Sequence, residues 1–259
     1  MRPRGNRFAL RLMALMLACA ALGGARNPIL VPEISEHEIQ VRQGFTGADL
    51  LLFGAILTPE GARAAEEYDI VVLLEGPVRS IIVREKQQIA GVWVNAASTQ
   101  FRSAPSFFAV ASSRPIKKIV DDKTAAIYEL GLGWLQLSPI GVIDPKEQQR
   151  FSRGLVDLMR RQGLYQQNEG AVKISGQVLY QARIALPSNV QTGTYTAETF
   201  AIRKGRVVTS AISRVIVRKE GFERFVAASA DQYGFYYGLF AVIISVGMGW
   251  IAGRLFALV

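Results

Sequence analysis

Leu186-Pro187-Ser188-Asn189-Val190-Gln191-Thr192-Gly193-Thr194-Tyr195 is the stretch that decides the fold, because it joins two strand patterns. Before it, from Val178 to Leu186, apolar residues alternate with more polar ones. After it, the turn Arg203-Lys204-Gly205-Arg206 separates two further runs, Thr194 to Ile202 and Val207 to Arg218. Alternation with a period of two predicts strands that bury one face, so this part of the chain is predicted to be β-structure.

The loop within this stretch indicates the kind of β-structure. One predicted strand ends in Leu186-Pro187, and after a loop the next begins with Gly193-Thr194-Tyr195. This arrangement is similar to the tyrosine corner of immunoglobulin-like sandwiches. In that corner the phenol hydroxyl donates a hydrogen bond to the loop backbone. We therefore predict a mainly β fold, an immunoglobulin-like β-sandwich. Two separate small domains are the alternative.

More strand patterns precede this stretch, separated by turn signals such as Thr58-Pro59-Glu60-Gly61 and Gly76-Pro77. Two of them, Ala48 to Leu57 and Ile70 to Leu74, are almost unbroken apolar runs, which predicts central positions in the sheets. Asn27 to Ser35 is predicted to be an extended lead-in, because its two prolines cannot donate backbone hydrogen bonds. The other predicted strands are His37 to Arg42, Tyr68 to Glu75, Arg79 to Glu85, Gly91 to Asn95 and Ser106 to Ala111.

A helical insertion is predicted at about residues 112–168, between these strands and the last ones. Asp144 can cap a helix that begins at Pro145, Glu147 can reach back to complete a capping box, and Gly163 can end the helix. We expect its apolar face to dock onto a sheet, with contact of its basic face with lipid headgroups as the alternative. That apolar face consists of Phe151, Leu155, Leu158 and Met159, and the basic face of Arg150, Arg153, Arg160 and Arg161. A shorter helix is predicted at Asp121 to Leu130.

The N-terminus has the three parts of a secretory signal peptide. A basic stretch, Met1 to Arg11, overlaps an apolar run that ends at Leu22, and the small residues Gly23, Gly24 and Ala25 follow. We predict a signal peptide over residues 1–25, with an uncleaved anchor as the alternative. A lipoprotein signal around Cys19, the only cysteine, fits less well, because bulky residues precede it.

Gly234 to Gly253 is a block of 20 residues without a charge. About 20 helical residues match a hydrocarbon core of about 30 Å, so this block is predicted to be one transmembrane helix. Tyrosines cluster at its start and Trp250 lies near its end, as is typical of the two membrane interfaces. Since a signal peptide exports the preceding domain, Arg254 is expected in the cytoplasm.

Small residues recur in this span with steps of three or four, which places them on one stripe of a helix. Such a stripe lets a second helix approach closely, and we predict a helix-packing interface there. The alternative is that glycine is simply frequent in spanning helices. The predicted interface residues are Gly234, Gly238, Ala241, Ser245, Gly249 and Gly253.

The net charge of +9 is typical of nucleic-acid-binding proteins, but four of the arginines lie in the predicted signal peptide. Without them, 26 basic residues remain against 21 acidic ones, a net charge of +5. An exported chain with this spread-out charge is not expected to bind nucleic acid.

The sequence offers little chemistry. His37 is the only histidine, and its strand parity with Ile39 and Val41 predicts a structural residue at the buried face and not a metal ligand. The acidic pairs Asp121-Asp122 and Glu66-Glu67 are read as solvated residues, because glycosidase carboxylates face each other across a substrate. No nucleophile elbow, phosphate loop, dinucleotide fingerprint or zinc-protease helix occurs. We expect no catalytic residue, cofactor or metal.

The chain resembles a family of alphaproteobacterial transmembrane proteins of about this length, to which no activity is assigned. The resemblance covers nearly the whole chain and implies topology without chemistry. It is carried by Leu30-Val31-Pro32-Glu33-Ile34-Ser35, Ile39-Gln40-Val41, Phe45-Thr46-Gly47-Ala48-Asp49-Leu50-Leu51-Leu52-Phe53-Gly54-Ala55, Leu186-Pro187 with Gly193-Thr194-Tyr195, and the terminal span.

These observations predict a single-pass inner-membrane protein whose bulk lies in the periplasm. It consists of a signal peptide (1–25), a β-sandwich (26–222), a linker (223–233), a transmembrane helix (234–253) and a short cytoplasmic tail (254–259). Its expected partners are the lipid bilayer and a transmembrane protein or a second copy of itself. The expected function is that of a non-enzymatic accessory or assembly subunit of an inner-membrane complex. The alternative is an extracytoplasmic ligand-binding domain, or a hydrolase whose site is assembled from distant residues.

Overall fold

A computed structural model describes residues 28–42, 44–57, 68–141, 144–176, 178–219, 226 and 229–256. The predicted signal peptide, Cys19, the turn at Thr58-Pro59-Glu60-Gly61, Glu66-Glu67 and most of the predicted linker lie outside the described residues. Within them the fold is mainly β, as predicted. The strands are β1 (Ile29–Ile34), β2 (Glu38–Val41), β3 (Gly47–Leu57), β4 (Asp69–Glu75), β5 (Val78–Ile89), β6 (Val92–Pro105), β7 (Phe108–Ser112), β8 (Tyr165–Glu169), β9 (Lys173–Ser175), β10 (Leu179–Pro187), β11 (Gly193–Arg203) and β12 (Arg206–Lys219). The helices are α1 (Ile116–Ile119), α2 (Asp122–Ile127), α3 (Pro145–Arg161) and α4 (Gly234–Phe256).

Two sheets contain most of the strands. The first has the order β1-β3-β10-β9, and the second has the order β2-β12-β11-β4-β7-β8. The pairs β2/β12 and β7/β8 are parallel, and the other neighbours are antiparallel. The two apolar runs form β3 and β4, and both have the central positions that the sequence predicts. The assignment to the immunoglobulin-like class stays a prediction.

The N-terminal segment is extended, and its pairing goes beyond the prediction. Residues 29–34, predicted as part of an extended lead-in, form the edge strand β1 beside β3. Pro32 lies opposite Gly54 in this pair. A proline is tolerated there because an edge strand does not need every backbone N–H for pairing.

Burial on both faces explains why the residues between the two ends of β4 are all apolar. Ile70 to Leu74 are all buried, because one face of the second sheet packs against the first sheet and the helical segment covers the other. On the covered face, Tyr128 contacts Phe200 with ring centroids 5.5 Å apart, and the Leu132 N–H donates to Gln167 at 3.0 Å. The molecule therefore has a third layer over the second sheet.

Helix α3 begins and ends where its sequence predicts. The Asp144 carboxylate accepts a hydrogen bond from the Lys146 N–H at 2.8 Å. At the other end, Gly163 has a φ of +72°, and the Leu164 N–H donates to the Met159 carbonyl at 2.9 Å. This pattern ends a helix because it satisfies carbonyls that have no partner inside the helix. Glu147 pairs with Arg150 at 3.1 Å.

The apolar face of α3 is narrower than predicted. Phe151, Leu155 and Met159 are buried, whereas Leu158 is 48% exposed and lies at the border of the face. The buried side chains belong to the same apolar cluster as the sheets, which agrees with docking of α3 onto the sheet side.

Strands β5 and β6 form a two-stranded sheet of their own. The sequence predicts two short strands, but the structure has one long hairpin of 12 and 14 residues that turns at Ala90 and Gly91, both with positive φ. Near its base, the Ile140 N–H donates to the Gln100 carbonyl at 2.7 Å. We call this hairpin, Val78 to Pro105, the arm.

Candidate functional site

The C-terminal helix is the segment with the clearest relation to function. Residues Gly234–Arg254 form a helical stretch of 21 residues with a mean hydropathy of 1.7, and none of its most apolar part is buried in the protein. At about 1.5 Å per residue the helix is about 32 Å long, which matches the hydrocarbon thickness of a bilayer. Its length and composition thus fit a membrane span, as the sequence predicts.

The predicted stripe lies on this helix without a neighbour among the described residues. A Cβ atom added at Gly234, Gly238, Gly249 or Gly253 would meet no atom within 4 Å. All six predicted interface residues are exposed: Gly234, Gly238, Ala241, Ser245, Gly249 and Gly253. The structure does not test whether another helix packs there, so the interface stays a prediction.

Aromatic side chains flank the span. Tyr233, Tyr236 and Tyr237 lie at its start, and Trp250 lies one turn before Arg254. All four are exposed to the surroundings of the helix. Amphipathic rings at both ends favour a fixed depth of the helix in a bilayer.

His37 is not where the sequence predicts it. Its side chain is 70% exposed, and Nε2 lies 3.1 Å from Glu33 Oε1 on the surface. The parity argument fails because the chain crosses from β1 in the first sheet to β2 in the second, and His37 lies in the bend before β2. Ile39, within β2, is buried as expected.

The acidic pair Asp121-Asp122 has a structural role. Asp121 caps α2, because its carboxylate accepts a hydrogen bond from the Thr124 N–H at 2.9 Å. Hydrogen bonds from the Thr124 side chain and from the Thr124 backbone lower the pKa of Asp121. Asp122 lies in the first turn of the same helix, where a negative charge is favourable.

A half-buried carboxylate was missed by the sequence analysis. Burial raises the pKa of Glu75, and the nearby charges of Glu129 and Glu198 raise it further. Burial also raises the pKa of Glu129. Local patterns could not reveal this group, because the three glutamates come from β4, β11 and the segment after α2.

An open cleft of about 820 Å³ lies between α3, the segment after α2 and β8. Arg153 and Arg160 line one side, and Gln167 and Glu169 line the other. The cleft therefore presents both signs of charge, with apolar residues such as Leu132 between them.

Residues 29–257 match the model of the family described as "Putative transmembrane protein (Alph_Pro_TM)". The chain belongs to this family of alphaproteobacterial transmembrane proteins. The match includes both sheets, the helical segment and the span. No curated protein matches the chain.

The membership agrees with the structure on the C-terminal helix. The matched range includes all six stripe residues as well as the arm. Both are thus part of the matched region. The sequence analysis predicted two short strands within the arm and missed the length of the hairpin that they form. The signal for the hairpin was the run Val92-Trp93-Val94 directly after Ala90-Gly91, which is a turn followed by an apolar strand.

Proposed function

We propose that this protein is a non-enzymatic accessory or assembly subunit of an inner-membrane complex, anchored by α4 with its β-domain in the periplasm. The observation that supports this proposal best is the stripe of six small residues on a span that has open space along it. Small side chains let two helix backbones approach, and dispersion then replaces the hydrophobic drive that lipid cannot supply.

The proposed orientation rests on the predicted signal peptide and on the single span. A signal peptide at residues 1–25 would export the domain, and a single span then leaves Arg254 on the cytoplasmic side. We expect that a protease added to spheroplasts cleaves the β-domain and leaves the C-terminus intact.

Co-purification tests the partner. The full chain with a C-terminal tag, extracted in a mild detergent, is expected to retain a second transmembrane chain or a second copy of itself. Replacing Gly249 and Gly253 by leucine should remove that chain from the eluate. Gly247→Leu is the matched control, because Gly247 lies about 200° around the helix from Ser245 and Gly249. Equal recovery of the partner from both variants would contradict the proposal that the stripe is the packing interface.

A ligand-binding domain is the second candidate, and the cleft beside α3 favours it. Arg153 and Arg160 lie on one face of α3, about two turns apart, and suit an anion. Titration of the full chain with inorganic phosphate or sulfate, followed by calorimetry, tests this candidate. Binding that Arg153→Ala abolishes would support it, whereas no heat with either anion would count against it.

A further inference from the structure

The outer half of the arm is unlike an ordinary surface hairpin. Every described residue from Lys86 to Ala96 is exposed. The turn is nevertheless surrounded by large apolar side chains, with Ile89 56%, Val92 63% and Trp93 65% exposed. An exposed apolar cluster that contains tryptophan marks a surface that is covered in the working molecule.

The two faces of the tip restrict what can cover it. Ile89 lies opposite Val92, and the next pair is Gln88 with Trp93. Because neighbouring residues of a strand point to opposite faces, Val92 and Trp93 carry apolar groups to the two sides of the hairpin. A groove on a folded protein would cover one face, whereas insertion into a lipid layer covers both.

The strand registers place the base of the arm at the end of the second sheet where β12 ends. In the second sheet, Gly193 lies opposite Val217, two residues before the end of β12. A Cβ atom on Gly193 would lie 2.8 Å from Cγ of Pro77, the residue that precedes the arm. The arm therefore starts at the end of the sheet from which the chain continues to α4.

The lengths of the two segments are compatible with a shared membrane. The 12 residues of β5 extend about 40 Å at about 3.4 Å per residue. The 14 residues between Lys219 and Gly234 span at most about 50 Å. These lengths leave room for the tip to contact the bilayer that holds α4.

The charge of the arm suits anionic lipid. Between Val78 and Pro105 the basic residues are Arg79, Arg84, Lys86 and Arg102, against one acidic residue, Glu85. Basic residues within about a Debye length of an anionic membrane surface are attracted to it. Tryptophan is also the side chain that prefers the interfacial layer.

We propose that the tip of the arm, Ile89 to Val94, inserts into the interfacial layer of the same bilayer that α4 spans. The arm then forms a second membrane contact, which fixes the height and the tilt of the β-domain over the membrane. The proposal is independent of the helix partner, because it needs only lipid.

Spin-label depth measurements on the full chain test this. In a Cys19→Ser background, a nitroxide is attached to Gln87→Cys near the tip or to Ser175→Cys, an exposed residue at the opposite end of the first sheet. The proteins are reconstituted into vesicles of phosphatidylethanolamine and phosphatidylglycerol. We expect the label at residue 87 to collide several-fold more with oxygen than with a water-soluble nickel chelate, and the label at residue 175 to show the reverse.

A second variant keeps the test decisive. Replacing Ile89 and Trp93 by aspartate alters only exposed residues, so the variant should still fold. The replacement should give the label at residue 87 the same accessibility to the nickel chelate as the control label at residue 175. Aqueous accessibility at residue 87 in the unaltered arm would overturn the proposal. Immobilisation of that label only after addition of a membrane-protein extract would also overturn it, in favour of a protein occupant.

Discussion

The Tyr195 hydroxyl donates a hydrogen bond to the Gln191 carbonyl oxygen at 2.8 Å, across the loop that leads into β11. Tyr195 is fully buried, and its ring contacts Phe107 with centroids 5.9 Å apart. The hydrogen bond closes the loop over the end of the core, and it is the contact that the stretch from Leu186 to Tyr195 predicts.

Removing the hydroxyl should weaken the domain. For Tyr195→Phe we expect a loss of about 1–2 kcal/mol of unfolding free energy, because the Gln191 carbonyl loses its partner while the ring stays packed. In a domain of this size that corresponds to a melting temperature lower by about 2–8 °C, measured on the full chain in detergent. Tyr233→Phe, an exposed residue, is the control and should leave the melting temperature unchanged.

Alkaline pH should unfold the domain through its buried phenols. Burial raises the pKa of Tyr195 to about 12, and it also raises the pKa of Tyr165 and Tyr180. Since a phenol in the unfolded chain titrates near 10, stability is fully present below about pH 10 and falls as the pH rises through 12. Unfolding followed by circular dichroism between pH 9 and pH 12.5 measures this. Ionisation of all phenols at pH 10 without unfolding would contradict it.

Gly54 should be the least replaceable glycine of the first sheet. A Cβ atom there would lie 2.3 Å from the Val31 carbonyl oxygen and 2.6 Å from the Tyr180 hydroxyl, so Gly54→Ala must separate β1 from β3 or displace Tyr180. We expect a loss of more than about 2 kcal/mol, on the scale of overpacked cores.

Gly154→Ala is the control for that change, and its effect on stability should have the opposite sign. Gly154 lies inside α3, and an added Cβ would meet nothing within 4 Å. Alanine in a helix interior is about 0.5–1 kcal/mol more favourable than glycine, so this variant should melt at a higher temperature. Thermal melts of both variants measure the difference, and a destabilised Gly154→Ala would show that the position is crowded.

Glu75→Gln should stabilise the domain at neutral pH. Burial, Glu129 and Glu198 raise the pKa of Glu75, which means that the folded state disfavours its charge. The protonated form of Glu75 is therefore favoured by folding. Its contribution to stability is fully present below the unfolded pKa of about 4.3 and is lost as the pH rises through the raised pKa of the folded state. The variant should gain melting temperature at pH 8 and gain little at pH 4. An equal gain at both values would assign the effect to something other than charge.

The sequence predicts the elements that local signals specify. The alternation of β10 to β12, the apolar runs of β3 and β4, and the cap at Asp144 all depend on residues close together in the chain. Four features depend on contacts between distant segments, and the sequence missed them. They are the pairing of Pro32 with Gly54, the exposed position of His37, the length of the arm, and the burial of Glu75 beside Glu129 and Glu198.

The candidate site also has one part that local sequence predicts and one part that it does not. Periodicity alone places Gly234 to Gly253 on a helix with a stripe of small residues, because that spacing is a local property. What packs against the stripe depends on a second helix that the chain does not specify.

The mass of the complex in lipid nanodiscs tests the central claim most directly. Native mass spectrometry of the membrane-inserted protein should show a species heavier than the single chain, by the mass of a partner or of a second copy. That species should disappear when Gly249 and Gly253 are replaced by leucine and persist in Gly247→Leu. A single chain in the unaltered protein, or an unchanged complex in the double variant, would contradict the claim that the stripe of α4 is an interface.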